Sequence, residues 1–421
     1  MKNIETNQIY FGDNLKLLKK LEDNSIDSCV SDFPYNLSFM GKKWDTISNY
    51  QGWCYSRAKE LLRVLKPGAH CLIFGGTRTH HRLACAFEDA GFEIRDEIQW
   101  LYGSGFPKSY NISKGIDKKV GAKRQVVGVK KHSTNFENAI KNRVGYLQDE
   151  ANKNNKKCFG YGEELITTPA TTEAKQWDGW GTALKPAHEP IMVARKPLSE
   201  RTIVDNVLKW GTGGLNIDDS RVEFDNNESA KDLARSSQGF TSQSEIYHNN
   251  KDKYKTSSES GNLQGRFPAN VILDKEAGRM LDEQSGFLKS QKGKPRKAII
   301  KNQTKLNNSK EVQVNCEYND FGGASRFFYC PKASKKDRTE NGQIDNKHPT
   351  VKPTDLIKYL TRLVTPPNGT SLDICLGSGT HSKACILLTK EGYPVNYIGF
   401  ENNEESFKTA QNKIKIIPIK N

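Results

Sequence analysis

A chain of 421 residues, 35 % of them hydrophobic and 27 % charged, allows two or three domains and is too apolar to be disordered throughout. No run of about 18 apolar residues occurs, so no membrane span is expected. The start, Met1 to Thr6, lacks the charged-then-apolar pattern of an export signal. The formal net charge of +15 favours a polyanionic partner.

The elements alternate from the start. Asn14 caps a helix whose Leu15, Leu17, Leu18 and Leu21 form an apolar face. Ile26 to Asp32 is a short strand ending in a polar turn. A helix ends at Arg63–Lys66, stopped by Pro67-Gly68. His70 to Phe74 reads as a buried strand closed by Gly75-Gly76. A helix over about Thr79 to Ala90 follows, then a strand over Phe92 to Tyr102. This β-α-β-α order implies a parallel sheet with helices on both faces. Residues 108 to about 176, and again about 199 to 345, are polar and weakly periodic, which marks mobile loops or specificity elements. The second stretch holds the basic run Lys289 to Lys297, and its clearest strand is Arg266 to Leu273. Regularity returns with an amphipathic helix over Asp355 to Val364, ended by Pro366-Pro367. A strand over Thr370 to Leu376, a helix over Thr380 to Lys390, a strand over Tyr397 to Glu401 and a helix to about Ile414 complete the chain.

Two constellations carry chemistry. In Asp373-Ile374-Cys375-Leu376-Gly377-Ser378-Gly379-Thr380 a strand meets a glycine turn and a helix start. Glycines admit close backbone approach, and the helix N-terminus offers free N–H groups. Glu401 closes the next strand about twenty residues on, a spacing that sets a carboxylate over a ribose diol. A tight βα turn with no ligand is the other reading. The second is Ser31-Asp32-Phe33-Pro34-Tyr35, at a strand's carboxyl end, where open α/β sheets hold ligands. A plain strand-ending turn is its alternative.

Ser31 to Tyr35 is similar to the Asp-Pro-Pro-Tyr motif of amino-methylating DNA methyltransferases. Phe11-Gly12-Asp13-Asn14-Leu15, Leu37 to Asp45, Gly103 to Lys108 and His348-Pro349-Thr350-Val351-Lys352-Pro353 also resemble family segments. The resemblance covers about residues 7 to 115, 176 to 222 and 321 to 415. The catalytic segment precedes the glycine turn, the order of the family's beta class.

The resemblance implies a Rossmann-like S-adenosylmethionine-dependent methyltransferase fold, an α/β doubly wound mixed sheet that is circularly permuted. It implies S-adenosylmethionine as cofactor, with Gly377, Ser378 and Gly379 at its methionine end, Glu401 at its ribose, Asp13 at its adenine and Asp373 among the cofactor-binding residues. Asp32 would lie beside both cofactor and target. Thr350 and Lys352 resemble residues near the cofactor pocket, or form a helix-leading loop. No metal is implied. Asp32 would accept a hydrogen bond from the exocyclic amine of a flipped base, and Tyr35 would stack on that base. Such hydrogen bonding favours a pyramidal, nucleophilic nitrogen. An Asp-first motif points to adenine N(6); cytosine N(4), an RNA or protein amine, and a catalytically weakened DNA-binding homologue are the alternatives. The family's first proline is Phe33 here, its Pro-Phe pair is Ile374-Cys375, and a common threonine is His381. Only the fixed φ of proline is lost at Phe33, so Phe33→Pro is expected to maintain or raise activity.

Three segments follow. Residues 1–198 are the catalytic half with a variable insert at about 108–176, 199–345 the target-recognition insert, and 346–421 the cofactor-binding half. Double-stranded DNA is the expected partner, in the cytoplasm of a bacterial or phage-infected cell. A homodimer and a separate restriction endonuclease stay open. Nine cysteines without a CxxC, Cys316 and Cys330 included, read as free thiols of a reducing compartment. His80-His81 does not read as a zinc pair, because adjacent helix residues face apart. Trp177, Trp180 and Trp210 either stack bases or pack on the sheet.

Overall fold

The computed structural model describes residues 4–37, 45–103, 105, 109–130, 164–223, 265–289, 296–301, 309–314, 321–331, 336–340, 342–344, 346 and 351–417. The chain divides into two units, Met1–Ser104 with Ala187–Asn421, and Gly105–Pro186.

One eight-stranded sheet organises the first unit. Its strands are β1 (Gln8–Phe11), β2 (Ile26–Asp32), β3 (Leu65–Phe74), β4 (Glu93–Leu101), β5 (His188–Arg195), β6 (Val271–Leu273), β7 (Thr370–Asp373) and β8 (Asn396–Glu401). Across the sheet they lie in the order β1-β8-β7-β2-β3-β5-β4-β6. Neighbours are parallel except at β5, which runs antiparallel to both β3 and β4. The sheet is therefore mixed, where β-α-β-α alternation alone implied a parallel one.

Among the helices of the described residues are α1 (Asn14–Leu18), α2 (Tyr50–Val64), α3 (His80–Ala90), α4 (Ile112–Lys119, in the second unit), α5 (Ile203–Trp210), α6 (Lys275–Ser285), α7 (Thr354–Val364), α8 (Thr380–Lys390) and α9 (Glu404–Ile416). On one face of the sheet Leu17 and Leu18 of α1, Cys54 and Leu61 of α2 and Leu83 and Phe87 of α3 pack with Cys29, Cys71 and Ile73. On the other, Leu356, Leu360 and Leu363 of α7 and Ala384 of α8 pack with Val30, Leu72 and Phe74. Opposite orientations of neighbouring residues such as Cys71 and Leu72 follow from the two-residue strand period. Both faces are covered, as a strand with no polar side requires.

Helix α2 stops at Val64, three residues before the expected proline signal, and β3 runs straight through Pro67-Gly68. The Pro67 carbonyl is claimed by Asn206 Nδ2 at 2.8 Å and Thr212 Oγ1 at 2.6 Å, so α5 docks there instead of a continuing helix. Gly68 has φ +82°, and a Cβ on it would lie 2.5 Å from Asn206 Nδ2 and 3.1 Å from Gly213 Cα. Within 199–345, β6 joins the main sheet beside β4, with α6 directly after it. Of the strand expected over Arg266 to Leu273, only Val271–Leu273 pairs in this sheet. An antiparallel hairpin joins Arg296–Lys301 to Ser309–Val314.

The second unit pairs Gln125–Lys130 with Glu164–Thr168. Arg124 reaches the buried Asp117 of α4 at 2.7 Å, and Asp117 also accepts from the Ala170 and Thr171 amides. No helix among the described residues is long and apolar enough to cross a membrane.

Candidate active site

Strands β2 and β7 are parallel neighbours, with Ser371 opposite Ser28 and Leu372 opposite Cys29. The register brings their carboxyl ends together. Ser31 Oγ donates to Asp373 Oδ1 at 2.7 Å, and the Cys375 amide donates to the same oxygen at 3.0 Å. Burial pushes Asp373 up to about 7, with the negative charges of Asp32 and Glu401 adding to the rise against those two hydrogen bonds.

The glycine turn starts from this point. Leu376 N donates to the Phe400 carbonyl at 2.9 Å, tying the turn to β8. Gly377 has φ +57°, and its amide donates to Glu401 Oε2 at 2.7 Å. Glu401 Oε1 accepts from the Asn403 amide at 2.7 Å, and burial raises this carboxyl above its ordinary range. Gly379, φ +84°, begins α8; a Cβ there would lie 2.9 Å from the Ala410 Cβ of α9. Close helix approach demands glycine at this position. Ser378 is buried, and Lys413 Nζ of α9 lies 3.5 Å from its Oγ.

Asp13 follows β1 and caps α1, accepting from the Lys16 amide at 3.0 Å. It also faces Arg57 at 3.6 Å. Arg57 was not legible in the sequence as a site residue. It lies over the Trp53 ring at 4.2 Å, and its Nε donates to Asn14 Oδ1 at 3.0 Å. Asn14 Nδ2 in turn donates to the Ile374 carbonyl at 3.1 Å. The segment after β1 is thereby latched to the start of the glycine turn.

On the other side of Asp373 stands Asp32. Its Oδ2 accepts from Lys352 Nζ at 2.8 Å. Its Oδ1 is buried and has no hydrogen-bond partner among the described residues. A buried, unpartnered carboxylate oxygen is costly unless a ligand satisfies it. Lys352 Nζ also donates to Tyr35 Oη at 3.0 Å and lies 3.1 Å from Glu189 Oε2, while Tyr35 Oη donates to Glu189 Oε2 at 2.6 Å. Burial opposes the lysine's charge, but the carboxylates of Asp32 and Glu189 outweigh it and hold the ammonium above the ordinary lysine range. Lys352 thus contacts the Asp32 carboxylate and the Tyr35 hydroxyl. Thr350 lies outside the described residues, as do His348 and Pro349, Ser104 and Phe106 to Lys108 of the Gly103 to Lys108 segment, and residues 38–44 of the Leu37 to Asp45 segment.

Glu189 is a site residue that sequence reasoning missed. The signal was there: an acid directly before the apolar run Ile191-Met192-Val193-Ala194, between Pro190 and Pro197. Tyr35 is half-buried, its carbonyl accepting from Thr79 Oγ1 at 2.6 Å. Pro34 is half-buried, whereas Phe33 is only 1 % exposed. The Phe33 ring meets Trp53 edge-on at 5.5 Å and Phe87 at 6.0 Å. It is a core side chain, which overturns the expectation that proline would serve as well there. Ile374 joins the same core. His381 is buried against Ser371 Oγ at 2.8 Å, and burial lowers it to about 3, so it stands neutral.

His80 Nε2 lies 3.4 Å from Glu97 Oε2, and among the described residues no group of three or more His, Cys, Asp or Glu could hold a metal ion. Trp177 and Trp180 sit in the second unit, ring centroids 5.0 Å apart and edge-on, 39 % and 59 % exposed. Trp210 is half-buried, its Nε1 donating to Ser199 Oγ at 2.7 Å.

Carboxylates at the carboxyl ends of β1, β2, β7 and β8 surround a glycine turn that opens a helix. This defines the class: an open α/β protein with its acidic side chains and glycine turn gathered at the strand ends, where such sheets bind ligands. The model of the DNA methylase family matches residues 26–412, and the chain belongs to that family. It is 24 % identical to the type II methyltransferase M.HindIII of Haemophilus influenzae over 249 residues, 49 % of this chain and 64 % of that protein. It is 34 % identical to the type II methyltransferase M.HpaI of Haemophilus parainfluenzae over 106 residues, 24 % of this chain and 33 % of that one. The matches thus span less than two thirds of either relative. Among solved structures, the cytosine-N4-specific PvuII DNA methyltransferase aligns over 99 % of this chain and 89 % of its own, at 14 % identity and a TM-score of 0.44.

Proposed function

We propose that the protein is an S-adenosylmethionine-dependent DNA methyltransferase that methylates the N(6) amine of a flipped adenine, in the permuted order of the beta class. The observation that carries this reading is the unpartnered Asp32 Oδ1, one strand away from the glycine turn. Family membership supports the same chemistry.

The donor set suits the cofactor. Burial raises Asp373 first, and the neighbouring carboxylates of Asp32 and Glu401 add to the rise, so a cation among the three would relieve that part of it. Glu401 would take the ribose hydroxyls with its remaining lone pairs, Asp13 the adenine side, and Gly377 to Gly379 the methionine end. The bound cofactor supplies a methyl group on a sulfonium.

The chain's own residues prepare the acceptor. Asp32 Oδ1 takes a hydrogen bond from the target amine, favouring a pyramidal nitrogen and aiming its lone pair. After transfer it is placed to receive the proton that the new ammonium must lose. Tyr35 presents an aromatic face beside it. The base must leave the duplex to arrive there. An Asp-first motif is the ground for adenine over cytosine.

Contact with DNA is assigned to the basic residues outside the sheet, in 199–345 and in the Gly105–Pro186 unit. There Lys114, Lys118, Lys119, Lys123 and Lys175 are exposed, as is the Trp177–Trp180 pair. Lysines position a protein on phosphates without reading sequence. Labelled methyl transfer to duplex DNA, RNA and protein tests the reading, followed by sequencing that detects modified bases. N(6)-methyladenine in DNA is the expected product. N(4)-methylcytosine would correct the base, and labelled RNA or protein alone would overturn the substrate.

A further inference from the structure

The Lys352 ammonium is held by three acceptors from two separate stretches of chain, the Asp32–Tyr35 segment and strand β5. Asp32 Oδ2 lies at 2.8 Å, Tyr35 Oη at 3.0 Å and Glu189 Oε2 at 3.1 Å. The first two accept hydrogen bonds from the ammonium, and Glu189 completes the set as an ion pair. The lysine is buried, with the Phe74 ring centroid 4.9 Å from its Nζ and the Tyr35 centroid at 5.3 Å. Its head group has little freedom to turn.

Glu189 decides where that head group sits. A lone lysine facing a buried carboxylate is drawn between the two oxygens, because both then share its charge. Here a second carboxylate, on the antiparallel strand β5, pulls the ammonium away from Asp32 Oδ1. The pull leaves Oδ1 open while Oδ2 stays pinned. The same Glu189 oxygen accepts the Tyr35 hydroxyl at 2.6 Å, fixing the end of the ring that stands beside Asp32.

We propose that Glu189 is a positioning residue for methyl transfer: acting through Lys352 and Tyr35, it keeps Asp32 Oδ1 free for the incoming amine. It does not touch the amine or the cofactor. This rests on the transferase reading, and the test separates the two.

Glu189→Ala, Glu189→Gln, Lys352→Met and the Glu189→Ala/Lys352→Met pair are compared with the wild type in single-turnover methyl transfer. Cofactor affinity is measured by calorimetry and thermal stability is recorded alongside. Glu189→Ala should slow transfer about 10- to 100-fold with cofactor affinity within about twofold. Glu189→Gln, which keeps an acceptor oxygen, should recover most of the rate and serves where the alanine variant does not fold. The pair should lose far less than the product of the two single losses, since Glu189 acts largely through Lys352, the remainder passing through Tyr35. A wild-type rate in Glu189→Ala, or losses that multiply in the pair, overturns the proposal. A crystal structure of the Glu189→Ala or Glu189→Gln variant gives a second readout that needs no turnover. In the alanine variant Lys352 Nζ should bridge both oxygens of Asp32, and in the glutamine variant it should stay on Oδ2; an unmoved Lys352 in the alanine variant overturns the proposal. An inactive wild type whose alanine variant shows the bridge would instead sink the transferase reading and leave the positioning intact.

Discussion

Ser31 donates a 2.7 Å hydrogen bond to Asp373 across 342 positions of sequence, closing the gap between the catalytic segment and the glycine turn. Asp373 is buried and lifted to about 7 by burial first, then by its acidic neighbours. Its unfolded value is near 4. A carboxyl raised on folding binds more protons in the native state between those values, so its contribution to stability is present below about pH 4 and is lost as pH rises through about 7. Asp373→Asn should remove that loss. Denaturant unfolding of cofactor-free protein at pH 4 and pH 8 should show the wild type giving up about 2–4 kcal/mol more than the variant over this interval. Equal losses in both would remove Asp373 as the source.

Asp32→Ala deletes the acceptor of the target amine and leaves the glycine turn, Glu401 and Asp13 in place. Transfer should fall by about 10²–10⁴-fold or more, while calorimetry still detects the cofactor. Unchanged turnover would take Asp32 out of the mechanism.

Phe33 fills the core between Trp53 and Phe87, so Phe33→Pro removes a buried ring as well as changing the backbone. Large-to-small changes of this kind cost about 3–5 kcal/mol. The variant should melt well below the wild type and lose activity with its fold. Phe33→Leu, which keeps most of the volume, should keep most of both; thermal melts compared with methyl transfer at low temperature separate the two effects.

Trp180 is exposed in the Gly105–Pro186 unit beside Trp177. If the unit contacts DNA through this pair, Trp180→Ala should weaken duplex binding by about 1–3 kcal/mol without changing the salt slope. Binding by the wild type should itself weaken steeply with salt, because lysine–phosphate contacts release counterions. Titrations at several salt concentrations test both, and a flat salt response would count against the assignment of the basic regions.

The strands and helices that hold the site were legible because each is apolar with a clear period and a marked end. Ile26–Asp32 and Thr380–Lys390 lie where the sequence puts them. Strand β5 was passed over, although it carries Glu189 and reverses the sheet's direction. A short apolar run between prolines has no helical or alternating period to mark it, and strand direction is set by partners that lie far off in the chain. The role of Phe33 was misjudged for a similar reason. A motif comparison sees a missing proline, whereas only the packed fold shows that the ring faces α2 and α3. Lys352 reads in the sequence as part of a loop before a helix; its approach to Asp32 and Glu189 depends on the ends of β2 and β5 meeting that loop.

Among the described residues, strand β1 finds its sheet partner only in β8, with Gln8 opposite Ile398 and Phe11 opposite Glu401. During synthesis, residues 8–11 must therefore wait for almost the whole chain to leave the ribosome. Until β7 is made, β2 has an open edge on the side away from β3. Closure of this sheet is necessarily a late event, which favours slow folding and leaves a nascent apolar edge for chaperones to guard.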